Sequence, residues 1–318
     1  GYLCGSMRIQ SLVSRLSRVY FSRVCVHRCL CSSIEDSVSS HYDSGGLWQR
    51  IVEAVTASRS NINDSSQLTD PDHEDQIPAE DFHPVDQFHV GGVAATDRLL
   101  NVMGVKDGWK VLDIGCGLGG TTRRIKHLFP SCDVTGIDIT PEFIKIAARI
   151  SDIVGSEVRY DVGSAVDIPF RDELYDAACM LHVGMNISEK DKIYREAYRV
   201  LKSGGIFAVY DITLVPTGRI TYPVPWAASP AHSFVSHYSE YISAAEESGF
   251  NNINTTDRGK EGMEFFDPLR KRLTAGRGMP PLSLAVTLGS DAEQKMKNVI
   301  ELLHTNQITL TEIICTKL

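Results

Sequence analysis

The chain has 318 residues, 42% of them hydrophobic, with 32 basic against 40 acidic side chains and a formal charge of −8. That length buries one large α/β core with a smaller cap and requires no second, unrelated domain. The acidic balance opposes phosphate backbones, and so nucleic-acid binding, and no apolar run approaches the roughly 20 residues of a membrane span.

Residues 1–34 differ from everything after them. They carry Arg8, Arg15, Arg18, Arg23 and Arg28, many serines and no acid before Glu35, with Leu12, Leu16 and Tyr20 at helical spacing. The pattern is similar to an organellar transit peptide starting at Met7, with Arg28 three residues before Cys31 as a processing signal. Dense arginine favours the mitochondrion over the plastid, and over the peroxisome that Thr316-Lys-Leu318 weakly suggests. Without those five arginines, 27 basic residues face 40 acidic ones, a charge near −13. Cys4, Cys25, Cys29 and Cys31 share this segment, whereas Cys116, Cys132, Cys179 and Cys315 lie in apolar stretches. The spacing forms neither a disulfide framework nor a zinc site, so buried thiols and no metal are expected.

Residues 35–105 read as an N-terminal cap. Within it, residues 56–81 are polar and acidic, with Asp64, Asp70, Asp72, Glu74 and Asp75 and no period, which predicts a surface loop. Residues 80–96, Glu-Asp-Phe-His-Pro-Val-Asp-Gln-Phe-His-Val-Gly-Gly-Val-Ala-Ala-Thr, are too patterned for a linker and lead into a helix ending near Gly104. Gly91 and Gly92 permit close backbone approach.

The next segment, residues 106–257, holds the most informative pattern. Val111 to Ile114 predict a short buried strand, Gly115, Gly117, Gly119 and Gly120 a loop open to a ligand, and Thr121 to His127 the start of a helix. A second apolar run, Val134-Thr-Gly-Ile-Asp138, ends in an acid. The glycines satisfy the dinucleotide fingerprint, in which Asp138 would hold ribose hydroxyls. Asp113 points elsewhere: a carboxylate at that strand end repels a pyrophosphate but suits a positively charged methionyl group.

With those residues the chain resembles the class I S-adenosylmethionine-dependent methyltransferases over residues 106–256. The resemblance implies a Rossmann-like α/β fold, a mainly parallel sheet with an antiparallel last strand. It also implies S-adenosylmethionine as cofactor, held by Asp113, Gly115, Gly117, Gly119, Asp138 and Ile139. Gly163 to Phe170 look like the adenine-side loop, with Ser164 where the family usually carries an acid, so that Ser164 and Ala165 supply backbone groups. Tyr175 to His182 look like the fourth strand, with Leu181 as a further cofactor contact. A helix should follow, with Ser188 as cap and Ile193, Ala197, Val200 and Leu201 at helical spacing. Ser203-Gly-Gly205 should end it before the strand Ile206 to Asp211.

Three walls are candidates for the acceptor side. Ligands of open α/β sheets bind beyond the carboxyl ends of strands, which is where Leu181-His-Val-Gly-Met-Asn-Ile187 puts His182 and Asn186. In related methyltransferases the segment before the first motif folds over the cofactor, which turns Gln87 and His89 toward the reaction centre. Thr221 to Ala227 present Tyr222 and Trp226 on a proline-stiffened loop, as a hydrophobic cover or as faces for a cationic amine. His237 to Gly249 predict a helix, Asn251 to Thr256 a strand and Gln307 to Cys315 the last strand. Residues 258–305, with helical stretches at Glu261 to Leu273 and Asp291 to His304, form a lid insertion, and 306–318 return to the core.

Taken together, His89 to Gly92, His182 to Asn186 and Tyr222 to Ala227 give the chain a likeness to the sarcosine/dimethylglycine methyltransferase group. This implies a small-molecule amine as acceptor, with quinone or phenol methylation, a non-catalytic assembly factor and a nicotinamide oxidoreductase as alternatives. A glycine-derived acceptor needs a cation, and only Arg258, Arg270 or Arg277 of the lid would supply one. Aligning acceptor and methyl group contributes roughly 7 to 11 kcal/mol. Imidazole ordinarily titrates near neutral pH, which makes His182 and His89 the candidate bases.

Overall fold

The computed structural model describes residues 46–60 and 77–318; the arginine-rich segment 1–34 and residues 61–76 lie outside these. Helix α1 (Leu47–Ser60) repeats Leu47, Ile51 and Val55 every four residues and buries all three. Residues 56–60, expected in a loop from their polarity, continue this helix because the buried stripe fixes the turns before them. A 3-10 turn (Ala79–Phe82) and the short α2 (His83–Asp86) lead to α3 (Gly92–Met103). Helix α3 stops at Gly104 (φ +64°), whose N–H bonds Asn101 O while Val105 N–H reaches back to Leu100 O.

Seven strands follow: β1 (Lys110–Ile114), β2 (Asp133–Asp138), β3 (Arg159–Val162), β4 (Tyr175–Leu181), β5 (Leu201–Leu214), β6 (Phe250–Asp257) and β7 (Ile308–Lys317). They form one sheet ordered β3-β2-β1-β4-β5-β7-β6, parallel from β3 to β5, with β7 antiparallel to both its neighbours. This is the Rossmann-like arrangement expected. Alternate residues of β4 serve different cores: Ala177, Cys179 and Leu181 pack with α3, Ala178 and Met180 with the helices beyond the other face. Burial on both faces explains why these strands read as unbroken apolar runs. The four described cysteines are buried free thiols.

Around the sheet lie α4 (Gly120–Leu128), α5 (Pro141–Ile153), α6 (Lys190–Val200) and α7 (Tyr238–Glu247). Ile193, Ala197 and Val200 of α6 are fully buried at helical spacing. Its start departs from expectation: Glu189 is the N-cap, no side chain caps the helix, and Ser188 gives only its carbonyl to Lys190 N–H. Tertiary contacts set this end instead, since Lys190 is buried with its Nζ on the carbonyls of Ile187 and Phe234. The other end also differs. Helix α6 stops at Val200 and β5 begins at Leu201, with residues 203–205 inside the strand as an irregularity in its pairing with β4. Leu201 is drawn into the sheet by pairing with Tyr175, and its carbonyl accepts Lys317 Nζ. Between β6 and β7 run α8 (Gly259–Thr274), α9 (Ala285–Leu288) and α10 (Ala292–His304). Among the described residues no helix is long and apolar enough to cross a membrane.

Candidate active site

The strand order reverses between β1 and β4, so a crevice opens at their carboxyl ends. There the chain turns through Gly115 (φ +73°) and Gly117 (φ +53°). A Cβ at Gly115 would strike Val183, and one at Gly117 would stand 3.2 Å from the Phe88 ring. The loop is therefore gripped between the wall after β4 and the segment before α3, a fit that only glycine allows. Asp138, at the end of β2, accepts the N–H groups of Gly117 and Thr140, each at 2.9 Å. Asp113 lies beneath the loop, 2% exposed, accepting Thr122 Oγ1 at 2.7 Å and facing Cys179 Sγ at 3.8 Å.

Burial pushes the Asp113 carboxyl up to about 6, and the neighbouring Asp138 adds to the push. Burial raises Asp138 as well. Among the described residues neither carboxylate forms an ion pair. Two adjacent, uncompensated carboxylates favour a cation and oppose a pyrophosphate, so the positive methionyl end of S-adenosylmethionine fits this crevice. Beside them, Gly163 N–H donates to Asp138 O at 3.0 Å, which seats the turn carrying Ser164 and Ala165 against the end of β2. Ser164 Oγ accepts Val166 N–H within that turn at 3.2 Å. Ile139 is half-buried and Leu181 is buried at the end of β4.

On the far side three rings meet. His89 and His182 lie 6.2 Å apart, His182 and Tyr210 5.3 Å, His89 and Tyr210 6.3 Å. His89 Nε2 is 3.0 Å from Gly92 O and 3.0 Å from Thr96 Oγ1. A carbonyl only accepts, so Nε2 carries the proton and the lone pair sits on Nδ1. Thr96 is then free to donate to Gln87 Oε1 at 3.0 Å, and Gln87 Nε2 is left buried without an acceptor. His182 adopts φ +55°, held by its N–H to Tyr210 O at 2.8 Å, and its Nε2 is also unpartnered. Burial lowers His89 to about 4 and His182 well below the ordinary imidazole value. Both are neutral imidazoles at physiological pH. Titration near neutrality, expected from the residue type alone, is lost because desolvation disfavours the charged ring.

Asn186 ends the 3-10 turn Gly184–Asn186, and its Oδ1 is buried without a donor. The buried Asp211 carboxylate holds that turn, accepting Met185 N–H and Tyr241 OH, each at 3.0 Å. Trp226 is 3% exposed and donates Nε1–H to Ser233 Oγ at 3.0 Å. It belongs to the apolar cluster of Leu181, Met185 and Tyr210, against which Tyr222 packs. Asn298 of α10 donates to Pro223 O at 2.7 Å, tying the insertion between β6 and β7 to this loop.

Asp211, Lys190 and Arg98 were not legible as site residues. Arg98 of α3 lies 5.4 Å from the Tyr210 ring centroid and binds Glu312 through Nε at 3.2 Å. The arginines expected from the insertion are placed otherwise: Arg258 pairs with Glu312 and Glu261, Arg270 pairs with Asp267 at the surface, and Arg277 is exposed. The one signal for Arg98 is its position three residues after buried Ala95, at the edge of the buried stripe of α3.

Residues 112–209 match the family model of the methyltransferase domain. That stretch of the chain carries a methyltransferase domain. Over 115 residues it is 34% identical to sterol 24-C-methyltransferase erg6 of Aspergillus fumigatus, a match covering 36% of this chain and 30% of that enzyme. The matched part is thus under a third of the relative's length. Geranyl diphosphate C-methyltransferase from Streptomyces coelicolor, solved with Mg2+, geranyl diphosphate and S-adenosyl-L-homocysteine, is similar at TM-score 0.62 and 17% identity. It covers 91% of this chain and 99% of that one. A Galdieria sulphuraria protein described as a sarcosine dimethylglycine methyltransferase is similar at TM-score 0.55 and 21% identity, covering 70% and 84%. At these identities the solved structures share the methyltransferase fold.

Proposed function

We propose that this protein transfers the methyl group of S-adenosylmethionine to a small-molecule amine of the sarcosine/dimethylglycine kind. The observation that carries the cofactor half is the pair of uncompensated carboxylates, Asp113 beneath the glycine loop and Asp138 at its rim. Asp113 attracts the methionyl ammonium through its charge, and Asp138 receives the ribose hydroxyls with Ile139 beside it. Gly115, Gly117 and Gly119 let the backbone close on the ligand, while Ser164, Ala165 and Leu181 border the adenine side. When bound, the cofactor supplies an electrophilic methyl group, and the protein's task is alignment and exclusion of water.

The electrostatics of the far side support an amine. Around the three rings the imidazoles are neutral, and the nearby carboxylates of Glu312 and Glu261 are already bound to arginines. A desolvated site with no free carboxylate disfavours an ammonium, so the amine enters as the free base, its nucleophilic form. His182 then orients the acceptor through Nε2 rather than storing its proton, with His89 fixing the ring beside it. Gln87 and Asn186 offer polar contacts, and Tyr222 and Trp226 close the apolar side. Carbon or oxygen methylation is the second reading, favoured by the aromatic lining. The arginine-rich residues 1–34 would direct the chain to mitochondria.

Incubating the full chain with methyl-labelled S-adenosylmethionine and a metabolite extract tests this. A labelled N-methyl product is expected. Label on carbon or oxygen overturns the amine, and cofactor binding with no labelled product points to a non-catalytic assembly factor.

A further inference from the structure

Buried polar atoms without partners are few in native proteins, and each calls for an explanation. Among the described residues, three such atoms belong to or are linked to the three-ring cluster, Gln87 Nε2, Arg98 Nη2 and His182 Nε2, and a fourth, Asn186 Oδ1, follows His182 on the same wall. Their placement is linked contact by contact. Gln87 is joined through Thr96 to His89, His89 and His182 pack on Tyr210, and the Arg98 guanidinium lies against the same Tyr210 ring. The Gln87 side chain is nine-tenths buried, as is that of His182.

Two of the four are obligate donors, and one of these is cationic. Their natural partners nearby are occupied: Glu312 binds Arg98 Nε and Arg258, and Glu261 binds Arg258. The capacity left over is one guanidinium NH2 group and one amide NH2 group, with no anion among the described residues bound to either. We propose that they form a carboxylate subsite: Arg98 Nη2 and Gln87 Nε2 bind the carboxylate of the methyl acceptor, which is taken as the anion with its amine unprotonated. The subsite rests on the methyltransferase reading and specifies its substrate class.

Calorimetric titration of the full chain loaded with S-adenosylhomocysteine tests it. The probes are sarcosine, dimethylglycine and 4-hydroxybenzoate, the neutral carboxamide of each, and inorganic phosphate. At least one acid is expected to bind about tenfold or more tightly than its carboxamide, the effect of a hydrogen bond to a charged group. That preference should vanish in Arg98→Gln and persist in part in Arg98→Lys. Should Arg98→Gln fail to fold, Gln87→Leu, which keeps the Arg98 to Glu312 pair, gives the same reading through a weakened preference. Equal binding of acid and carboxamide overturns the subsite, as does no acid binding at millimolar concentration, or a preference that survives Arg98→Gln. Phosphate binding more tightly than every acid overturns the carboxylate assignment. S-adenosylhomocysteine binding without acid binding removes this inference alone; failure of S-adenosylhomocysteine to bind removes the methyltransferase reading with it.

Discussion

Arg123, in the first turn of α4, sets its Nη2 2.7 Å from Asp86 Oδ2, with both side chains almost wholly buried. The same guanidinium reaches Leu118 O at 2.8 Å, Ala147 O at 3.2 Å and Tyr160 OH at 3.2 Å. One cation thereby joins the glycine loop, α5 and β3 to the residue that precedes Gln87. The glycine loop and the segment before α3 are held as one unit. Asp86→Ala leaves this guanidinium buried without its counter-ion, and we expect a loss of about 3 kcal/mol or more of stability in denaturant unfolding. A loss below about 1 kcal/mol would show that the carbonyl contacts suffice.

Cofactor affinity should depend on pH through Asp113. Only the ionised carboxylate attracts the methionyl ammonium, and burial holds the free carboxyl at about 6. Affinity should therefore rise with pH up to that point and level off above it, being about tenfold weaker near pH 5 than near pH 8. Binding near pH 6 should release protons, visible as a buffer-dependent heat. Asp113→Asn should bind weakly with no such limb. A wild-type profile flat across this range would remove Asp113 from cofactor recognition.

His182 combines two roles that substitution can separate. Its φ of +55° is uncommon for a residue with a Cβ, so His182→Gly relieves backbone strain where His182→Ala keeps it. The glycine variant should be more stable by about 1 kcal/mol, and both should turn over roughly 100-fold more slowly if the imidazole orients the acceptor. Because both imidazoles are neutral well above their lowered values, wild-type turnover with cofactor and acceptor both saturating should be level across the ordinary histidine range. A limb near pH 6.5 that disappears in His182→Ala would contradict this and make His182 a base.

What could be read in the sequence follows from how local the cause is. Val111 to Ile114, the glycines and Asp138 announce a strand, a loop and a second strand end through composition and spacing alone. The helix stop at Gly104 is equally local. Arg98 could not be read because its partner, Glu312, is 214 residues away, and an arginine on an amphipathic helix looks like a solvated charge. The start of α6 failed for the same reason: Lys190 is buried against Phe234 O, a long-range contact that overrides the cap signal of Ser188. The positions of His89 and His182 beside the glycine loop and after the fourth strand were legible. Their protonation was not, since desolvation is a property of the fold.

The central claim is that Asp113 and Asp138 select a sulfonium nucleoside over a dinucleotide, and calorimetric titration of the full chain tests it most directly. S-adenosylmethionine and S-adenosylhomocysteine should bind, NADH should not, and Asp138→Ala should weaken binding by about 1.5 to 3 kcal/mol, the worth of hydrogen bonds to a charged group. Tight NADH binding with no S-adenosylhomocysteine binding would contradict the account.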